Sequence, residues 1–184
     1  MAAAARRRGA RVTLIAGPVS LSTPPGVRRI DVRTSGEMME AVLEEAAAQD
    51  VVVMAAAVAD FAPATVAPAK IKRALAPAES RTLVLKNNPD ILKALGERKG
   101  RQVLVGFALE TEDGPRNARG KLQEKHLDLI VLNNPLDPGA AFGSDTNVVT
   151  ILGAQTGANE ELGRLPKTEV AERLLDRIRP LLPG

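Results

Sequence analysis

The run VVVMAAAVAD at positions 51–60 decides the fold. Val51 to Val58 is short, wholly apolar and β-branched at its start, as expected of a parallel strand buried on both faces. Small side chains close the run and Asp60 ends it. A strand covered on both faces needs helices above and below, so its flanks should alternate strand and helix.

Upstream, Ala2 to Arg8 has high helix propensity and Gly9 suits a helix C-terminus. Arg11 to Ala16 reads as a buried strand ending at Gly17-Pro18, and Val27 to Val32 as a strand after the Thr23-Pro24-Pro25-Gly26 loop. Thr34 and Glu37 have capping-box spacing, and Met39, Val42, Leu43 and Ala46 follow at helical intervals. Downstream, residues 62–77 are rich in Ala, Pro and Lys without a period and read as a long flap loop. Arg81 to Lys86 is a strand, and Asn88 is expected to cap a helix with Pro89 at its first position. Val103 to Leu109 is a strand, Pro115 to His126 a helix, and Leu127 to Leu132 and Asn147 to Leu152 strands. Val170, Leu174, Leu175 and Ile178 give the last helix its apolar face.

The pattern predicts one α/β domain over 1–184: a doubly wound, mostly parallel, Rossmann-like sheet with helices on both faces. No N-cap residue precedes Ala2, and in such folds the helix before a strand follows an earlier strand. The reading therefore expects a preceding strand and the front of this first helix to lie outside the 184 residues.

Composition excludes several functions. With 45% hydrophobic and 26% charged residues the chain is neither disordered nor fibrous. The absence of Cys removes disulfides, thiolate metal sites and a cysteine nucleophile, and the single His126 excludes a His cluster. The longest apolar run, Val51 to Ala59, is about half a membrane span. No signal peptide is recognisable, so an intracellular, cytoplasmic protein without a membrane partner is expected. A net charge of +3, scattered cations and three Phe as the only aromatics argue against a nucleic-acid partner. Arg6-Arg7-Arg8 reads as a solvated helix end.

Ligands in open α/β sheets sit beyond the carboxyl ends of the strands. Those ends carry Gly17-Pro18, Asp60-Phe61, residues 86–90, residues 106–111 and Asn133-Asn134, with Phe61, Phe107 and Phe142 at or just past them. Asp60, after small residues, can accept from ribose hydroxyls, help hold a metal, or merely cap a turn. Lys70, Lys72 and Arg73 in the loop suit a polyphosphate, or solvent. Lys121 and Lys125 share a helical face that an anion would stabilise, although Glu124 and Asp128 offer ordinary partners. His126 reads as an exposed helix-end residue. Neither G-x-G-x-x-G, nor a P-loop, nor G-x-S-x-G occurs, so residue chemistry reaches a nucleotide-like pocket and no reaction.

The ordered motifs AAAVADF, PAKIKR, KNNPDI, VGFALET, Lys-x-x-x-Lys, DLIVLNN and FGSDTN, with GARVTLIAGPVSLSTPPGV before them, resemble phosphopantothenoylcysteine synthetase. In bacteria that family is usually the C-terminal half of a bifunctional coenzyme A biosynthesis protein, behind an FMN-dependent decarboxylase domain. The resemblance implies a CTP- and Mg²⁺-dependent ligase acting on 4′-phosphopantothenate and cysteine, working as a homodimer. It places Met54, Ala55, Ala56, Asp60, Asn88, Pro89, Asp90, Ile91, Phe107, Lys121 and Lys125 at the nucleotide, with Lys70 the functional lysine of a flexible flap. It assigns no role to Phe142 to Asn147.

The family opens with a strand, a nucleotide-binding turn, a catalytic Asn and a Ser-Ser-Gly-Lys-Met-Gly stretch, none of which is in these 184 residues. The isolated chain is therefore expected to be inactive or nearly so. The competing readings are a dinucleotide-dependent oxidoreductase, which lacks its glycine fingerprint here, and a non-catalytic assembly module.

Overall fold

The alternation is realised in the order α1 (Ala2–Arg7), β1 (Thr13–Ala16), β2 (Arg28–Asp31), α2 (Ser35–Ala46), β3 (Val51–Met54), β4 (Phe61–Pro63), β5 (Leu85–Asn87), α3 (Ile91–Glu97), β6 (Val103–Leu109), α4 (Gly114–Glu124), β7 (Leu129–Asn133), β8 (Thr146–Gly153), β9 (Glu160–Pro166) and α5 (Lys167–Ile178). These elements come from a computed structural model that describes residues 1–70, 82–134, 144–154 and 159–182. The five-stranded sheet runs β3-β6-β7-β8-β9; its first three strands are parallel, and β8 and β9 each join antiparallel. The parallel pair β1-β2 and the antiparallel pair β4-β5 are separate small sheets.

Strand β6 has a parallel neighbour on each edge and a helical layer on each face. Leu104 and Ala108 pack with Met38 and Val42 of α2, Ile91 and Leu95 of α3, and Ala118 and Leu122 of α4. Val103 and Val105 pack with Val170, Leu174 and Ile178 of α5. The sheet is thus covered on both sides, and the period of two along β6 sorts its side chains between two cores. Gly106 faces the core shared with Leu104 and Ala108: an added Cβ would come within 2.8 Å of Leu92 Cδ2 and 2.9 Å of Leu127 Cδ1, so the glycine lets α3 close on the strand.

Local signals account for the ends of the helices. Thr34 Oγ1 accepts from the Glu37 N–H at 3.1 Å, while the Glu37 carboxylate accepts from the Arg33 N–H, one residue before the usual capping-box partner. Gly9 (φ +90°) ends α1, with Gly9 N–H donating to Arg6 O and Ala10 N–H to Ala5 O in the paired bonds of a Schellman motif. Arg7 and Arg8 then reach Glu172 of α5, and Arg8 also reaches Asp176, so the basic cluster clamps two helices.

Several sequence expectations need correction. β3 stops at Met54 rather than Val58, because residues 55–60 leave the ladder and line a cleft. α3 is capped by Asp90, whose carboxylate accepts from the Lys93 N–H at 3.0 Å; Asn88 and Pro89 lie outside the helix. Strand β9 was not anticipated: Gly163 interrupts it and Glu160, Glu161 and Arg164 give it a polar surface. Residues 71–77 of the expected 62–77 flap lie outside the described residues, and its first two residues, Ala62 and Pro63, belong to β4.

Helix α3 backs onto the end of α4 through Gly96, where an added Cβ would collide with the main-chain carbonyl of Lys125. Backbone cannot swing aside as a side chain can, so Gly96→Ala should cost about 1–3 kcal/mol. Gly120, exposed in α4 with nothing within 4 Å of its Cβ position, is the opposite case, and Gly120→Ala should stabilise by about 0.5–1 kcal/mol. Denaturant midpoints of the two variants should move in opposite directions; a shared direction would refute this account of α3 packing on α4.

Candidate nucleotide cleft

The three parallel strands β3, β6 and β7 end at Met54, Leu109 and Asn133, and antiparallel β8 begins beside them, with Asn133 opposite Val149. Around these ends lies a cleft of about 730 Å³, lined by residues 54–60, 88–92 and 107–109 together with Lys121, Lys125, Asn133, Asn147, Lys167 and one side of α5. Its wall is apolar along Phe107, Val170 and Leu174 and polar along the two lysines and the asparagines. That mixture, at the carboxyl edge of a parallel sheet, is the usual setting of a small-molecule site.

Asn88 organises one side. Its Nδ2 donates to Ala59 O at 2.8 Å and its backbone N–H donates to Asp60 O at 2.8 Å. Two bonds from one residue fix the backbone of Ala59-Asp60 against the start of α3, while the Asp60 residue stays exposed at the cleft. Two residues on, Asp90 accepts from Lys125 Nζ at 2.8 Å as well as capping α3. Partial burial pushes the Asp90 carboxyl up, but Lys125 and the Lys93 N–H outweigh it and hold the group below its ordinary value.

Glu110, the first residue past β6, organises the other side. Its N–H donates to Asn133 O at 3.1 Å, tying the ends of β6 and β7 together. Its carboxylate accepts from Lys121 Nζ at 2.6 Å and from Asn117 Nδ2 at 3.2 Å. Lys121 lowers the Glu110 carboxyl below the usual range against a push from burial, with help from Asn117. Lys121 and Lys125 are therefore both ion-paired to carboxylates near their own heads. Glu124 and Asp128, the partners suggested by spacing, pair instead with Lys93 and Lys99.

The structure brings Met54, Ala55, Ala56, Asp60, Asn88, Pro89, Asp90, Ile91, Phe107, Lys121 and Lys125 onto this one cleft. Lys70 is exposed and does not line it; Lys72, Arg73 and Phe142 lie outside the described residues. Phe61 is corrected: it sits on β4, 57% exposed, away from the cleft. His126 is an exposed residue just past α4, with φ +51°. Asn147, from the motif without an assigned role, lines the cleft; Lys167 was missed and had only the Pro166-Lys167 helix start as a signal. Among the described residues no group of three His, Cys, Asp or Glu is placed to hold a metal ion.

Asp90 and Glu110 both bind protons less readily in the folded chain than when unfolded. Their stabilisation is complete above about pH 5 and is lost as pH falls through the depressed folded values. Urea midpoints should therefore fall between pH 6 and pH 3, and Glu110→Gln should flatten part of that fall. A pH profile identical to the wild type would show that the Lys121 pair contributes nothing to folding.

Comparison with known proteins agrees with this geometry. The family described as the DNA/pantothenate metabolism flavoprotein C-terminal domain matches residues 1–181. The coenzyme A biosynthesis bifunctional protein CoaBC of Bacillus subtilis (strain 168) is 48% identical over 182 residues, covering 98% of this chain and 44% of that protein. A cysteine/cysteine sulfinic acid decarboxylase from an unknown prokaryotic organism is 42% identical over 184 residues, covering 99% of this chain and 50% of that protein. The chain thus spans about half the length of these curated relatives. The crystal structure of the C-terminal domain of a CoaBC protein superposes with a TM-score of 0.79 at 38% identity, covering 98% of this chain and 80% of that one. Fold and sequence converge, and the chain belongs to the DNA/pantothenate metabolism flavoprotein C-terminal domain family.

Proposed function

We propose that this chain is the synthetase unit that joins cysteine to 4′-phosphopantothenate at the expense of CTP. The observation that carries the reading is one cleft on which Lys121 of α4, Lys125 at its C-cap, the fixed Asp60 segment and the start of α3 converge at the ends of β3, β6 and β7. A carboxylate is a poor electrophile until one of its oxygens joins a good leaving group. In the first step the 4′-phosphopantothenate carboxylate oxygen attacks the α-phosphorus of CTP and pyrophosphate departs. In the second the cysteine amine attacks the acyl carbon, CMP leaves with the bonding pair, and the amine loses a proton.

Lys121 and Lys125 take up the negative charge of the triphosphate and of departing pyrophosphate. Asp60 accepts from the ribose, and Met54, Ala55, Ala56 and residues 88–91 present backbone to the nucleotide, with Phe107 against it. Lys70 closes over the acyl-cytidylate from the loop. The donor set fits Mg²⁺ carried with the triphosphate, because that ion keeps several waters and needs only one or two carboxylates besides phosphate oxygens; bound there, it neutralises phosphate charge.

The β4-β5 ribbon and its approach expose Phe61, Leu83, Val84 and Leu85, each at least half exposed, which supports a homodimer that covers them. No helix among the described residues is long and apolar enough to cross a membrane; the reading places the ligation in the cytoplasm. The two curated relatives carry a bifunctional name and a decarboxylase name, and the reading assigns ligation to the shared half and FMN-dependent decarboxylation to a segment upstream of it.

Calorimetric titration of CTP with Mg²⁺ into the chain, against ATP and NADPH, tests the reading. Selective CTP binding is expected; equal affinity for NADPH would sink it. Asp60→Asn should weaken CTP binding by about tenfold, the cost of losing a charge-assisted hydrogen bond, and an unchanged dissociation constant would count against the ribose contact. In a version competent for turnover, Lys70→Gln should abolish ligation while sparing CTP affinity; undiminished product would refute its role.

A further inference from the structure

Two of the lysines that line the cleft, Lys121 and Lys125, are held differently. Lys125 is the more buried partner of its pair, 18% exposed, and its carboxylate, Asp90, is also committed to the cap of α3. That pair serves the scaffold as well as the cleft. Lys121 is 43% exposed and faces the cleft, whereas Glu110 is 15% exposed and does not line it. One oxygen of Glu110 takes Lys121 Nζ and the other takes Asn117 Nδ2, so the carboxylate is anchored behind the lysine head.

A phosphate arriving in the cleft would therefore meet a lysine whose charge is already offset. We propose that Glu110 is a stand-in anion: it holds Lys121 until a polyphosphate arrives, and the polyphosphate binds by exchanging with it. This deepens the synthetase reading and rests on it. An ammonium shared with a fixed carboxylate has less charge to give a ligand, so Glu110 loosens the hold on the phosphate chain. For a reaction that forms pyrophosphate in its first step, that loosening favours product release and keeps the cleft from staying filled.

The test is calorimetric titration of inorganic pyrophosphate with MgCl₂ into the wild-type chain, Glu110→Gln and Glu110→Asp. Glu110→Gln should bind about three- to tenfold more tightly, the range expected on removing a partly screened charge beside a lysine. Glu110→Asp keeps the charge and should show no tightening. Weaker or unchanged binding by Glu110→Gln would overturn the proposal, the former making Glu110 a prop for Lys121. Damage to the fold lowers affinity, so tightening cannot be a packing artefact.

Should Glu110→Gln fail to fold, the wild-type Glu110 carboxyl carbon resonance gives a second measurement. Saturating pyrophosphate should raise its titration midpoint towards that of an ordinary glutamate, and an unmoved midpoint would overturn the exchange. Failure of both wild type and Glu110→Gln to bind pyrophosphate would overturn it too. Tightened pyrophosphate binding without CTP preference would uphold the exchange while refuting the nucleotide reading.

Discussion

Strand β6 has no access to bulk water along most of its length: Val103 to Gly106 and Ala108 are buried, and both edges are paired. Its amides and carbonyls are met by the flanking strands and, at Leu104, by Asp128, whose carboxylate accepts from the Leu104 N–H at 2.7 Å; an unmet backbone group there would cost on the order of 1–3 kcal/mol. That constraint fixes β3 and β7 beside it and forces apolar helices onto both faces. It also sets where the strands end: β3 stops opposite Gly106, while β6 and β7 run on together to Leu109 and Asn133. The cleft lies over that step, where Met54 gives way to small residues beside the ends of β6 and β7.

Much of this was legible in the sequence because it is encoded locally. The apolar run from Val103 to Leu109, the Thr34–Glu37 capping box and Gly9 each act within a few residues, and each falls where its chemistry placed it. Less legible was anything decided by distant partners. Asn88 has a capping side chain in a capping context, yet its amide is drawn to Ala59 O across the chain, and Asp90 takes the cap. The end of β3 is decided in the same way: residues 55–58 are apolar enough for a strand and β6 runs on to Leu109, yet the pairing stops at Gly106 and the chain turns to line the cleft, where Asn88 holds Ala59 and Asp60. β9 hid because an edge strand facing solvent need not alternate cleanly, and Gly163 broke what pattern there was.

The candidate site was better foreseen in its membership than in its wiring. Nearly all the expected nucleotide residues share one cleft, which strand-end logic and family motifs could both supply. The partners of Lys121 and Lys125 could not be read from helix spacing. Asp90 and Glu110 come from other elements, and only the approach of α3 and β6 to α4 selects them over Glu124 and Asp128. Electrostatics at the site is thus a tertiary property, while its apolar walls are largely a secondary one. Residues such as Asn133, Asn147 and Lys167 contribute by position alone, arriving at the same end of the sheet because β8 runs antiparallel and α5 begins where β9 ends.

The contact between Gly96 and the Lys125 carbonyl has a consequence for how the corner behaves in time. Two helices that touch main chain to main chain have little room to slide, so Asp90 at one end of α3 and Lys125 at the end of α4 keep a fixed spacing. The conformational entropy of setting that corner is then lost when the chain folds rather than when a ligand arrives. A pre-organised corner of this kind lowers the ordering cost of binding, leaving any further adjustment to the segments beyond it.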